Sequence, residues 1–229
     1  MPARTSRSRS SRATQAPSFD FDDGVLADLV PGDLEMFEAG RFEGVDYAPL
    51  AVEDWALDGG DTIDGCRFTG TTVGSWSARG AHIVESVFSG ADITVASAAR
   101  SGLRDIVIRD SRFGSVEAYD ASWRGIRFTR CKLGFVNLRG AELLDVAFVD
   151  CTIDDIDLMG SKARRVAFDG CRVRSLNATG AALADVDLRG AIVDAVTGLE
   201  GLRGATISLE QLQLMAPALA DLAGIRVDE

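Results

Sequence analysis

Histidine occurs once in the 229 residues, as His82, and the usual histidine-based catalytic sets are excluded with it. Nothing replaces them: no GxSxG, no Walker stretch and no dinucleotide fingerprint is present. The four cysteines, at positions 66, 131, 151 and 171, fit neither a CxxC metal spacing nor the density of a small disulfide scaffold. No apolar run approaches the roughly 18 residues that cross a bilayer. The basic N-terminus also lacks the apolar core of a signal peptide. These gaps predict a cytoplasmic, non-enzymatic protein without catalytic, cofactor or metal residues.

What is present is ordinary in bulk and unusual in order. At 46% hydrophobic and 26% charged, the composition suits one domain with a sizeable core. Cut into blocks of five, residues 121–180 read ASWRG, IRFTR, CKLGF, VNLRG, AELLD, VAFVD, CTIDD, IDLMG, SKARR, VAFDG, CRVRS and LNATG, and every central residue is apolar. A period of five fits neither a helix at 3.6 nor a flat strand at 2. The same register spans 27 blocks over residues 61–195, and four more fill residues 40–59, with Gly60 as one extra residue between them. At random, 31 apolar centres would arise with a probability on the order of 10⁻¹⁰. Residues 196–199 are one short, after which EGLRG and ATISL restore the pattern.

Blocks such as ADITV, AELLD, VDLRG and VNLRG resemble the pentapeptide-repeat family, whose motif places a small residue and a polar one before a central Leu or Phe. The resemblance covers roughly residues 40–209. It implies an all-β solenoid, a right-handed quadrilateral β-helix with four blocks per coil, in which the central residue and the one two before it point inward.

Residues 20 apart support four blocks per coil independently. Phe68, Phe88, Phe128, Phe148 and Phe168 fall on one face, interrupted by Ile108. Where centres are small, at Ala78, Ala98, Ala118 and Ala178, the preceding inward residue is often large, as at Trp76, Val116 and Leu176. Such trading of volume is what a close-packed interior demands. Cys131, Cys151 and Cys171 fill one inward column below Thr71, Ala91 and Ser111, and read as small reduced core residues. His82 falls at an outward position. About eight coils at about 4.8 Å would make a rod about 40 Å long.

Charge is sorted along the chain. Residues 1–16 carry four arginines and no acid, residues 17–39 seven acids and no base, and residues 61–195 balance 17 bases against 18 acids. The near-neutral solenoid predicts no direct nucleic-acid binding. Within it, residues 141–160 hold Glu142, Asp145, Asp150, Asp154, Asp155 and Asp157 without a base, between two basic coils. The 20-residue step sets Glu142 beside Lys162, Asp145 beside Arg165, Asp150 beside Arg130 and Asp154 beside Arg174. The acidic coil therefore reads either as cross-strand ion pairing or as a band offered to a basic partner.

The ends differ from the middle. Residues 1–16 are expected to be a disordered basic tail. Residues 17–39 are expected to fold as a cap over the end of the core, with Asp33 as a helix N-cap. In residues 208–229, Ser208 and Gln211 form a capping box opening a helix with an apolar stripe of Leu209, Leu212, Met215, Ala216, Leu219 and Leu222, ended by Gly224. That stripe must cover either the open solenoid end or the same helix in a second copy, making a homodimer. The sequence thus predicts a rigid scaffold for an unidentified protein partner. Some members of the family it resembles are dimeric rods that imitate duplex DNA and bind gyrase, which gives the alternative.

Overall fold

The computed structural model describes residues 13–228. The repeat winds into an all-β parallel solenoid of about eight turns. Coil 121–140 shows the plan. Its strands Ser122–Thr129 and Lys132–Asn137 pair in parallel with residues 20 before and 20 after, so that Ile108, Phe128, Phe148 and Phe168 lie in one column. Ala121, Trp123, Ile126, Phe128, Cys131, Leu133, Val136 and Leu138 are all buried, two from each block. The inward set is the block centre and the residue two before it, because alternate strand residues share a face.

Three of the four corners need a residue in the left-handed region. In coil 121–140 these are Gly125, Arg130 and Gly140, at φ of 69°, 51° and 65°. Glycine enters that region without steric cost, and aspartate tolerates it because its short side chain bonds locally. Asp105, Asp110, Asp120, Asp145, Asp150 and Asp185 accordingly stand at corners with φ between 54° and 58°, or 53° for Asp150. Two acids of the acidic coil, Asp145 and Asp150, are therefore bend residues as well as charges.

The register follows the insertions. Tyr47 pairs with Phe68 and Trp55 with Trp76, a step of 21 that absorbs Gly60. Val186 pairs with Ala205, a step of 19 that absorbs the deletion before Leu199. In-register aromatics stack down the core: the Phe128–Phe148 and Phe148–Phe168 centroids lie 5.0 and 4.9 Å apart with rings within 11° of parallel. The stack breaks at Ile108, where an apolar cavity of about 40 Å³ is lined by Trp76, Phe88, Ala96, Ile108, Trp123 and Phe128, among others.

The inward polar columns carry a hydrogen-bond pattern of their own. Ser111 Oγ donates to the Arg109 carbonyl at 2.7 Å and accepts the Ala91 N–H at 3.0 Å. Cys151 repeats this in sulfur, donating to the Val149 carbonyl at 3.3 Å and accepting the Cys131 N–H at 3.4 Å. The four cysteines are buried and free of disulfides.

At the N-terminal end, α1 (Leu34–Glu38) begins at Asp33, whose carboxylate accepts the Met36 N–H at 2.8 Å, and it inserts Phe37 among Phe42, Tyr47 and Trp55. Capping by this segment is confined to residues from Val30 onward, where Val30–Gly32 pairs with Val45–Tyr47. Residues 13–29 do not sit on the end, as a cap over residues 17–39 would require. They run along the side of the solenoid, because an apolar track there can bury Phe21. The expected basic tail falls largely on residues 1–12, outside the described residues, whereas Thr14 and Gln15 make hydrogen bonds to the solenoid.

Candidate interaction surfaces

The side track is built from outward positions that are small or apolar every 20 residues: Val87, Val107, Ala147 and Ala167, with Arg127 between. Val87 and Val107 are buried, and with Phe21 they form a cluster separate from the solenoid core. A strap, residues 14–26, extended up to a 3-10 turn at Asp23–Val25, covers this track against the direction of coil growth. The Thr14 and Thr206 hydroxyls are hydrogen-bonded at the C-terminal end. The Gln15 N–H donates to Asp185 at 3.1 Å and the Ser18 N–H to Asp145 at 2.9 Å. Arg127 lies 4.8 Å from the Phe19 ring centroid and donates to the Phe21 carbonyl at 3.0 Å. Arg67 closes the series by donating to the Leu26 carbonyl at 3.3 Å.

Two corner carboxylates under the strap are shifted in opposite directions. At Asp145, burial acts to raise the carboxyl, but Arg165 and the Ser18 N–H outweigh it and hold the group below the usual carboxylate range. At Asp105, burial pushes the carboxyl up and the nearby charge of Asp20 adds to it, against Arg104 and Arg124.

In the acidic coil most carboxylates are engaged. Glu142 meets Lys162 at 2.9 Å, and Asp145 accepts from Arg165 Nε at 2.6 Å. Asp157, almost fully buried, accepts from Arg139 at 2.7 Å, Asn177 at 3.1 Å and the Met159 N–H at 2.9 Å. Arg174 reaches Asp155 at 2.9 Å and Asp154 only at 3.8 Å. The expected Asp150–Arg130 pair is replaced: Arg130 turns to the other neighbouring coil and forms a two-pronged pair with Asp110 at 2.7 and 2.9 Å. A column has two neighbours, and spacing alone does not choose between them.

The C-terminal helix α2 (Leu209–Leu222) opens with both bonds of the Ser208–Gln211 capping box and ends at Gly224, φ 71°. Gln211 is also its anchor, donating through Nε2 to the carbonyls of Leu188 and Ala191 at 2.6 and 2.8 Å. Of the expected stripe, Met215 and Leu219 are half-buried, while Leu209, Leu212 and Leu222 are exposed at 71%, 43% and 56%, with Leu214 at 74%. The buried polar anchor rotates the stripe away from the solenoid end. A groove of about 320 Å³ remains between the two, lined by Ala191, Ile192, Val196, Gln211, Leu214 and Met215 among others.

Among the described residues no three His, Cys, Asp or Glu side chains gather as a metal site, and no helix is long and apolar enough to cross a membrane. The strap was not legible as a binding element because Phe19 and Phe21 stand in a polar, charged stretch. Its signal lay in the outward column Val87, Val107, Ala147 and Ala167, apolar where a solvated face would be polar.

No protein-family model matches the chain, and no curated protein matches it in sequence. Among solved structures it is similar to trypsin-treated forms of QnrB1, a plasmid-mediated fluoroquinolone resistance protein. One shares 20% identity over 82% of this chain and 92% of that one with a TM-score of 0.37, and another 20% over the same shares at 0.34. It is also similar to HetL, a pentapeptide repeat protein involved in heterocyst differentiation regulation from the cyanobacterium Nostoc sp. strain PCC 7120, at 16% identity over 76% and 94% with a TM-score of 0.22. These likenesses are distant, and it is the chain's own backbone, five-residue blocks wound four to a coil around buried apolar centres, that makes it a pentapeptide-repeat β-helix.

Proposed function

We propose that the chain is a non-enzymatic scaffold for protein–protein binding, working as a rigid rod with sticky termini. The observation that carries this reading is α2, which is tied down by Gln211 while Leu209, Leu212, Leu214 and Leu222 face solvent. Large leucines left exposed on an ordered, anchored helix mark an interface. The first occupant of that interface is a second copy of the chain, giving a homodimer, and the protein partner binds the assembled rod. Four buried, reduced thiols suit a reducing compartment such as the cytoplasm. A gyrase-directed, DNA-imitating role is disfavoured, because Arg165, Arg139, Arg174 and Lys162 neutralise the acidic coil that would have to act as phosphates.

Cross-linking of the full-length protein in its own cells tests the scaffold. A protein partner should be recovered with the wild type and its cross-links should map to the rod surface. Failure to enrich any protein over an unrelated solenoid of equal charge sinks the reading. The alternative returns if purified protein at micromolar concentration inhibits gyrase supercoiling or changes its quinolone sensitivity.

A further inference from the structure

The strap behaves as a bound ligand that happens to be covalently attached. It belongs to no β-ladder, and its documented backbone bonds to the track are side-chain mediated: two N–H groups given to Asp185 and Asp145, two carbonyls taken by Arg127 and Arg67. Phe21 alone among its described side chains is buried. Its apolar seat on Val87 and Val107 is separate from the main core, so emptying that seat leaves the stacked interior intact. The chain turns away from the track at Asp28, φ 60°, before Val30–Gly32 joins the solenoid. Beyond that joint the strap can leave without disturbing α1 (Leu34–Glu38).

The track also has a metric that selects extended chains. Asp185 and Asp145 are two coils apart, about 9.6 Å, and an extended peptide covers about 10 Å in three residues. Gln15 and Ser18, three apart, meet them in turn. Phe19 and Phe21, two apart, project to the same side of an extended chain, one onto Arg127 and the other onto Val87 and Val107. Between them Asp20 is exposed, and its negative charge adds to the surroundings of the corner carboxylate Asp105, a like charge that another sequence need not carry.

We propose that this track is a peptide-binding surface, covered in the resting chain by its own N-terminal strap, and that its partner is a protein with an extended segment holding two aromatic residues on either side of a neutral one. The tether gives the strap the advantage of a high effective concentration. A neutral central residue removes the repulsion at Asp105 and lets the partner's segment compete. The inference deepens the scaffold reading and rests on it.

The test uses the full-length chain, isotope-labelled, titrated with an unlabelled synthetic peptide of residues 13–27 carrying Asp20→Asn. The amide resonances of the chain's own Gln15 and Ser18 should move to random-coil positions as the peptide saturates. The native-sequence peptide should need about threefold more, and a peptide with Phe19→Ala and Phe21→Ala should do nothing. In the full-length Phe21→Ala variant, whose strap is loosened, the Asn peptide should bind about tenfold tighter than in the wild type. Own-strap amides that stay put at millimolar peptide, an active double-alanine peptide, or equal affinity for wild type and Phe21→Ala would each overturn the proposal. If Phe21→Ala does not fold, the wild-type titration decides alone. A partner mapped to α2 while the track accepts no peptide overturns this inference and leaves the scaffold standing.

Discussion

A thiol and a serine hydroxyl hold the same bonds in the inward columns. Cys151 receives the Cys131 N–H as Ser111 receives that of Ala91. Cys151→Ser should therefore lie within about 0.5 kcal/mol of the wild type in urea unfolding, whereas Cys151→Ala leaves a buried N–H open and should cost about 1–2 kcal/mol. Equal losses for the two would show that the thiol is filler only. The sequence made these cysteines visible as small core residues through their 20-residue spacing, but their bonds were not, because sulfur and oxygen acceptors look alike in an apolar-or-small pattern. Ile108 is the opposite case, an interruption legible in the phenylalanine column and explained by space. Ile108→Phe should fill the cavity of about 40 Å³ beside it and join the stacks at Phe88 and Phe128. At about 24 cal/mol per Å³ the gain is about 1 kcal/mol. Titration sets an alkaline limit. Burial raises Cys66 from 9.0 to about 11, and Tyr47 from 10.0 to about 12. The folded chain thus holds protons that the unfolded chain releases, so this stability is whole below pH 9 and drains away between pH 9 and about 12. Urea midpoints measured from pH 8 to 12 should fall across that window, and a flat profile contradicts the assignment.

Corners, caps and strap decide how the elements hold together. Asp145 does three things at once: it turns the corner at φ 57°, pairs with Arg165 and receives the strap at Ser18. Asp145→Ala should cost about 2 kcal/mol, because it removes a buried carboxylate's hydrogen bonds to Arg165 and Ser18 and places a side chain ill-suited to the left-handed region. Asp145→Asn keeps the turn and an acceptor and should cost about half as much, measured by the same unfolding curves. The coil itself was plain from the block centres, as were the 21- and 19-residue steps at the insertion and deletion. The choice of partner for Arg130 was not, since it depends on which way a long side chain leans. The strap escaped for a similar reason: its contacts are few, non-periodic and made to outward residues that a repeat pattern treats as surface. Gln211 shows how a capping residue can serve tertiary structure too. Its capping role is written in the spacing from Ser208, but its grip on Leu188 and Ala191 depends on where the last coil ends.

At the scale of the whole molecule, the middle neutralises itself and the ends do not. Cross-coil pairs such as Asp145–Arg165 and Asp110–Arg130 consume charge within the rod, and the aromatic stacks make it a single stiff body. What remains unsatisfied is α2, whose leucines at 43–74% exposure have no cover among the described residues. Burying a standard interface of about 1,600 Å² requires about 800 Å² from each partner. The 14-residue helix, its groove to the last coil and the exposed Ile225 and Val227 supply the apolar residues for such a patch. Light scattering after gel filtration should return twice the 24.3 kDa chain mass at micromolar concentration. Leu212→Glu and Leu214→Glu together place charges on the two solvent-reached flanks of the helix while leaving Gln211 in place. They should return the single-chain mass and leave thermal unfolding of the solenoid within about 2 °C of the wild type's at equal subunit concentration. A wild type that stays monomeric removes the second copy as occupant of the helix. A double variant that remains dimeric moves the dimer contact to another face of the rod.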